Sequence, residues 1–233
     1  MNEPVTQNIR ICTYEDLAID LRRKASELST DVKYWIGLVG APGSGKSTLA
    51  KELKFRLGSL LTIIPMDGYH YYRHELDGME DPEYAHLRRG APFTFNASRF
   101  VADLIAARER GSGSFPSFDH NVGDPVEDAI QLEDESTRIV MVEGNYLLLD
   151  TEPWCRLRTE VFDESWFLYV PAAESSKRVY QRHLETGQLP TVAHSRVELN
   201  DSINAKLIMT TSVNADQVIQ ILDDRKGQPP NRE

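Results

Sequence analysis

Residues 40–47 read Gly40-Ala41-Pro42-Gly43-Ser44-Gly45-Lys46-Ser47, and this octapeptide limits what the chain can fold into more than any other stretch. It fits G-x-x-x-x-G-K-[ST] at every fixed position. Before it stands an apolar run, Tyr34 to Val39; after it Leu49, Ala50, Leu53 and Leu57 recur at helical spacing. Strand, glycine-rich turn and helix in that order aim successive backbone N–H groups at an anion, and the helix N-terminus adds its dipole. Lys46 then reaches the β and γ phosphates of a nucleotide, while Ser47 offers a hydroxyl to Mg²⁺. Gly40, Ala41, Pro42, Gly43, Ser44, Gly45, Lys46, Ser47 and Thr48 are therefore the candidate ATP-binding residues. A dinucleotide fingerprint does not fit, because Gly43-x-Gly45-x-x ends at Thr48 instead of a third glycine.

The rest of the chain reads as strands alternating with helices. Thr13 with Asp16 forms a capping box ahead of Leu17, Leu21, Ala25 and Leu28, which share one helical face. Leu60 to Ile64 suits a buried strand, and Asn96 caps a helix carrying Phe100, Val101, Leu104 and Ile105. Ile139 to Val142 and Trp166 to Val170 are apolar on consecutive residues, the pattern of parallel strands covered on both faces. Pro171 opens a further helix and Gly187 closes it. Ala205 to Met209 is expected as the last strand, followed by a short helix capped by Asn214. The alternation predicts one α/β domain over residues 1–233, a doubly wound, mainly parallel sheet with helices on both faces. A helical lid is expected over about 178–200, and the polar stretch 225–233 is expected to fray.

Two carboxylates fall where such a fold puts its ligand crevice, just past the carboxyl ends of strands. Asp67, in Pro65-Met66-Asp67-Gly68-Tyr69-His70, follows the Leu60–Ile64 run, where it can take a proton from a substrate hydroxyl and align the oxygen for in-line attack. Glu143 follows Ile139–Val142, where a carboxylate orients Mg²⁺ directly or through water. Arg178 and Arg182 lie four apart on one helical face, and their planar forks suit phosphoryl oxygens. Arg89, next to Arg88 ahead of Gly90 and Pro92, is a candidate for an anionic part of the second substrate. His70 and His74 have a spacing that could join them on one helical face, but loop or pocket roles suit them better than zinc.

Composition excludes several classes. Of 233 residues 40% are apolar and 27% charged, so disordered and fibrous chains are out. Cys12 and Cys155, far apart, make neither a disulfide framework nor a zinc site, and together with the start Met1-Asn2-Glu3-Pro4 point to a cytoplasmic protein. A formal charge of −10 argues against nucleic acid and membrane surfaces as partners. Partnership with a second copy is left open. No lysine is followed two positions later by aspartate, which removes the Asn-Lys-x-Asp element of a GTPase.

These residues carry a family resemblance over nearly the whole chain. Gly40 to Ser47, Asp67-Gly68-Tyr69, Pro116-Ser117-Phe118-Asp119-His120, Glu143-Gly144 and the basic helix with Lys177, Arg178 and Arg182 resemble the uridine kinase and phosphoribulokinase branch of P-loop kinases. Asp67-Gly68-Tyr69 and Arg88-Arg89-Gly90-Ala91-Pro92-Phe93-Thr94-Phe95 are more similar to pantothenate kinases. Glu143-Gly144-Asn145-Tyr146-Leu147-Leu148, with Asn200-Asp201 and Asn204-Ala205, resembles a fungal and bacterial group labelled uridine kinase-like, or simply nucleoside or sugar kinases. The resemblance implies an ATP- and Mg²⁺-dependent kinase with Asp67 as base and with Tyr69, Phe118, Asp119 and His120 toward the acceptor. Phe118 stands where nucleoside kinases commonly carry tyrosine, and Gln181 where they carry a basic lid residue. Uridine is the first expectation for the acceptor, with pantothenate-like acids and sugars behind it. A regulatory ATP binder without turnover and an ATPase that drives motion are the alternatives from other classes.

Overall fold

The apolar runs at 34–39 and 139–142 form the middle of a parallel sheet, because consecutive apolar residues supply both faces with something to bury. The computed structural model describes residues 8–29, 32–119, 122–132 and 136–222. In chain order the elements are β1 (Arg10–Cys12), α1 (Tyr14–Glu27), β2 (Tyr34–Val39), α2 (Lys46–Leu57), β3 (Leu61–Pro65), α3 (Arg73–Leu76), α4 (Pro82–Leu87), α5 (Ala97–Arg110), β4 (Gly113–Asp119), β5 (Asp124–Leu132), β6 (Ile139–Gly144), α6 (Arg156–Glu160), β7 (Glu164–Leu168), α7 (Ala172–Glu185), α8 (Pro190–Arg196), α9 (Ser202–Thr210) and β8 (Gln217–Ile221).

Six strands pair in the order β1-β8-β7-β2-β6-β3, every neighbour parallel. The alternation along each strand sorts its side chains into two cores. Ile36, Leu38, Ile139 and Met141 point to the side covered by α1 and α2, where Leu17, Leu21, Leu49 and Leu53 meet them. Trp35, Val39, Val140 and Val142 point to the other, against Phe100 and Leu104 of α5 and Trp154. The capping box at Thr13 and the cap at Asn96 form as expected, Asp16 N–H to Thr13 Oγ1 at 3.1 Å and Arg99 N–H to Asn96 Oδ1 at 3.1 Å. Among the described residues no helix is long and apolar enough to cross a membrane.

Several expectations need correction. Ala205–Met209 is not the last strand but lies inside α9, where burial at Asn204 and Ile208 continues at a spacing of four from Asn200 in the preceding π-helical turn. The closing strand is β8, whose run Gln217-Val218-Ile219-Gln220-Ile221 carries too few apolar residues to stand out. Asn214 caps no helix; it ends a 3₁₀ turn, and its Nδ2 donates to the Leu148 carbonyl and to Asp150 Oδ2, both at 3.0 Å. The hairpin β4–β5 and the edge strand β1 were not anticipated either. Segment 178–200 spans the second half of α7, α8 and most of a π-helical turn, Val197–Asp201. The expected start at residues 1–4 and the tail at 225–233 lie outside the described residues.

Candidate active site

Strands β2, β6 and β3 are neighbours, so the residues just past their carboxyl ends meet in one cleft. β2 delivers the glycine-rich loop. Gly45, at φ 97°, starts α2 without a side-chain cap, so the first turn of that helix relies on other partners for its N–H groups. Gly43, at φ 78°, lies so close to α7 that a Cβ would collide with the Ser175 carbonyl oxygen; only glycine lets loop and helix touch. Ser44 Oγ is buried without a hydrogen-bond partner among the described residues, which suits a donor meant for a ligand oxygen.

Lys46, first residue of α2, donates from Nζ to the carbonyls of Gly40 (2.7 Å) and Ala41 (3.2 Å). Burial of the ammonium pushes its pKa down to about 8, Glu143 and Asp67 opposing the shift and Arg182 adding to it. Gly40 and Ala41 thus hold the lysine and do not themselves line the cleft, whereas Pro42 through Thr48 all do. Glu143, on β6, accepts from Ser47 Oγ at 3.1 Å, and burial raises its carboxyl above the usual range with Lys46 opposing. Hydroxyl and carboxylate oxygens are what Mg²⁺ prefers, and Mg²⁺ commonly takes its other ligands from phosphate and water. Among the described residues no three His, Cys, Asp or Glu side chains converge into an all-protein cage. Ser47 and Glu143 therefore fit a nucleotide-bound Mg²⁺.

Asp67 sits in a 3₁₀ turn, Met66–Tyr69, directly after β3, and Pro65 is in register with Glu143 across β6. Its carbonyl accepts from the backbone N–H of His70 (3.2 Å) and lies 2.9 Å from His70 Nδ1. Beyond Asp67 the cleft wall continues through His70, Phe118 and Arg89, the Phe118 ring 4.9 Å from that of His70 and 5.7 Å from the Arg89 guanidinium. Tyr69, expected toward the acceptor, is not there. Its ring is 2% exposed, packs edge-on against Phe100, and its hydroxyl donates to Asp103 at 2.9 Å. With three residues per turn, residues two apart in a 3₁₀ turn point to different sides, which sends Asp67 to the cleft and Tyr69 to the core. Tyr69→Phe is accordingly expected to lower stability by about 0.5–1.5 kcal/mol, read as melting temperature, with kcat and KM at wild-type values. His120 lies outside the described residues.

On the opposite wall Arg178 and Arg182 line the cleft from α7, with Arg196 from α8. Arg178 reaches the loop, Nη1 standing 3.4 Å from the carbonyls of Gly43 and Ser44, while Nη2 pairs with Glu174 at 2.5 Å. Sequence reasoning missed what anchors this segment. Arg88 donates from Nε to Asn200 Oδ1 and from Nη2 to Asn204 Oδ1, both at 3.0 Å, and Asn200 Nδ2 donates to the Arg89 carbonyl at 3.0 Å. His183 Nε2 stands 2.8 Å from Asp201 Oδ2, tying α7 to the same π-helical turn. The asparagines repeat at a spacing of four, which could have flagged a polar helix face, but no local pattern names Arg88 as its partner.

The cleft holds about 1540 Å³. That exceeds the roughly 300–1,000 Å³ of a pocket for one small ligand, so a nucleotide and a second molecule fit side by side.

No family model matches the chain. Among curated proteins it is 40% identical over 227 residues to "Putative uridine kinase C227.14" of Schizosaccharomyces pombe, covering 91% of this chain and 92% of that one. It is 36% identical over 160 residues to "ATP-dependent kinase-like protein notR'" of Aspergillus versicolor, 66% of this chain and 87% of that one. Among solved structures, a "putative fructose transport system kinase" from Silicibacter sp. TM1040 superposes with a TM-score of 0.77 at 32% identity, covering 89% and 98% of the two chains.

Proposed function

This chain belongs to the uridine kinase-like group of P-loop kinases, and from that premise we propose that it transfers the γ-phosphoryl group of ATP to a hydroxyl of a small molecule, with Asp67 as the base. That it is an ATP-dependent P-loop kinase, hence a phosphotransferase, comes with the family. One observation supports the finer reading most: Asp67 shares a cleft with Lys46 and Glu143 at three adjacent strand ends, and its far side opens on a wall with room for a second substrate. A protein that only bound ATP would have no use for a carboxylate there.

In this reading the chain's own residues position and neutralise. The loop N–H groups, Ser44 and Lys46 hold the phosphates; Ser47 and Glu143 would hold Mg²⁺, which would offset the charge of the phosphoryl oxygens. Asp67 orients the acceptor hydroxyl and takes its proton. Arg178 and Arg182 come in over the transferring group as the 178–200 segment closes and excludes water. The fission-yeast relative's name suggests a nucleoside such as uridine as acceptor, and the Silicibacter neighbour's a sugar. Pantothenate-like acids are the remaining class.

ADP release with and without nucleosides, sugars, pantothenate and glycerate, with mass spectrometry of the products, tests the reading. A phosphorylated acceptor supports it. ADP release at one rate whatever is added points to an ATPase, and none at all to a binder. The lid is tested separately by hydrogen exchange: residues 178–200 are expected to exchange more slowly with a non-hydrolysable ATP analogue and acceptor present. Protection confined to residues 40–48 would contradict closure.

A further inference from the structure

The wall that runs away from Asp67 ends in two arginines fixed by one carboxylate. Asp124 Oδ1 accepts from Arg89 Nη2 at 2.9 Å and from the backbone N–H of Arg73 at 3.0 Å, so a single oxygen sets both segments. Arg89 is held further by the carbonyls of Gly123 (2.5 Å) and Tyr71 (3.0 Å), leaving its side chain 12% exposed, with the Phe118 ring against it. Its Nε is buried with no partner among the described residues. Arg73 is exposed, and its guanidinium forms no hydrogen bond or ion pair among the described residues. It lies across Gly123, where any Cβ would overlap it; φ at Gly123 is 79°, so glycine is favoured twice over. Both arginines line the cleft and Asp124 does not, so the counter-charge stands behind the wall and the cleft side stays positive.

Two guanidiniums built into one end of a cleft, one with no hydrogen-bond or ion-pair partner among the described residues, are donors for an anion, since the planar fork matches carboxylate and phosphate oxygens. A neutral nucleoside would offer no counter-charge to the Arg73 guanidinium, while Arg89 would keep only Asp124 behind it. Between this end and Asp67 stand the rings of His70 and Phe118, which keep an anion at the arginines apart from the carboxylate that must take the hydroxyl proton. Resting on the kinase reading above, we infer that the acceptor is a hydroxylated small molecule carrying a carboxylate or phosphate group, with its anion on Arg73 and Arg89 and its reacting hydroxyl at Asp67. Arg73 is then the specificity-determining residue and Asp124 a positioning residue. The phosphoryl chemistry is unchanged: the acceptor oxygen bonds to the γ phosphorus, the bond to the ADP oxygen breaks, and the proton goes to Asp67.

Matched pairs that differ only in the anion test this: glycerate against glycerol, ribose 5-phosphate against ribose, pantothenate against panthenol, with uridine alongside, each scored by ADP release and product mass. An anionic member is expected to exceed its neutral partner in kcat/KM by about 10- to 100-fold, the worth of a charge-assisted hydrogen bond or two. The glycerate and pantothenate arms report carboxylate, the ribose 5-phosphate arm phosphate. Arg73→Gln, on an exposed side chain that does not endanger folding, should collapse that ratio toward one, with the loss falling on KM rather than kcat. Arg73→Lys should restore part of it, which a merely structural role would not. Uridine or a neutral partner used as well as the anion, or a ratio indifferent to Arg73→Gln, overturns the inference and leaves the kinase reading standing. ADP release indifferent to every compound overturns both.

Discussion

Lys46→Ala is expected to lower kcat/KM for ATP by about 10² to 10³, roughly 2.7–4 kcal/mol, the usual cost of removing one preorganised donor from developing charge. The loss does not come from unfolding. Among the described residues Nζ bonds only to the Gly40 and Ala41 carbonyls, and burial holds the ammonium's pKa near 8, below its ordinary 10.5. The sign follows from that depression. Below pH 8 the protonated lysine opposes folding, and the opposition fades as pH rises from 8 toward 10.5, where the unfolded chain binds the extra proton. Removing the side chain at pH 7 therefore takes away an unfavourable charge together with two hydrogen bonds, and the melting temperature should move by only a few degrees. A folded Lys46→Ala protein that turns over ATP at the wild-type rate would remove the phosphate loop from the mechanism.

Asp67→Asn keeps the shape of the side chain and one acceptor oxygen while removing charge and basicity. General-base contributions run from about 10² to 10⁴ in rate, so kcat should fall by that factor, roughly 3 to 5 kcal/mol. ATP affinity should hold, because the proposed phosphate contacts come from residues 42–48, which line the cleft apart from Asp67. If Asp67 only shaped the turn before Gly68, the variant would lose thermal stability and keep its speed. The structure gives the backbone of that turn its own support, His70 N–H on the Asp67 carbonyl at 3.2 Å and Asn96 N–H on the Tyr69 carbonyl at 2.8 Å, so the carboxylate is not needed for it.

The loop at 40–48, Asp67 and Glu143 were legible in the sequence because each stands in a local pattern: a fixed glycine spacing, or a charge directly after an apolar run. The sheet's centre was legible for the same reason, since β2 and β6 are apolar on consecutive residues. What stayed hidden depends on contacts between distant segments. Tyr69 stands two residues from Asp67 in one motif, yet the turn rotates it into the core on Phe100 and Asp103. Ala205–Met209 is short enough to satisfy either period, and only the Arg88 contacts with Asn200 and Asn204 show which face is inside. Arg89 was a candidate from its loop, but Arg73 was not, because its place on the cleft wall is set by Asp124 and Gly123, some fifty residues later in the chain.

The central claim is that the γ-phosphoryl group passes to an acceptor hydroxyl under the control of Asp67. Single-turnover rapid quench with γ-labelled ATP, enzyme in excess and acceptor present, follows that group directly in the wild type and in Asp67→Asn. The account predicts label on the acceptor in the wild type, the same product formed about 10² to 10⁴ times more slowly in the variant, and equal ATP occupancy in both. Label appearing as inorganic phosphate instead, or reaching the acceptor at one rate in both proteins, would contradict it.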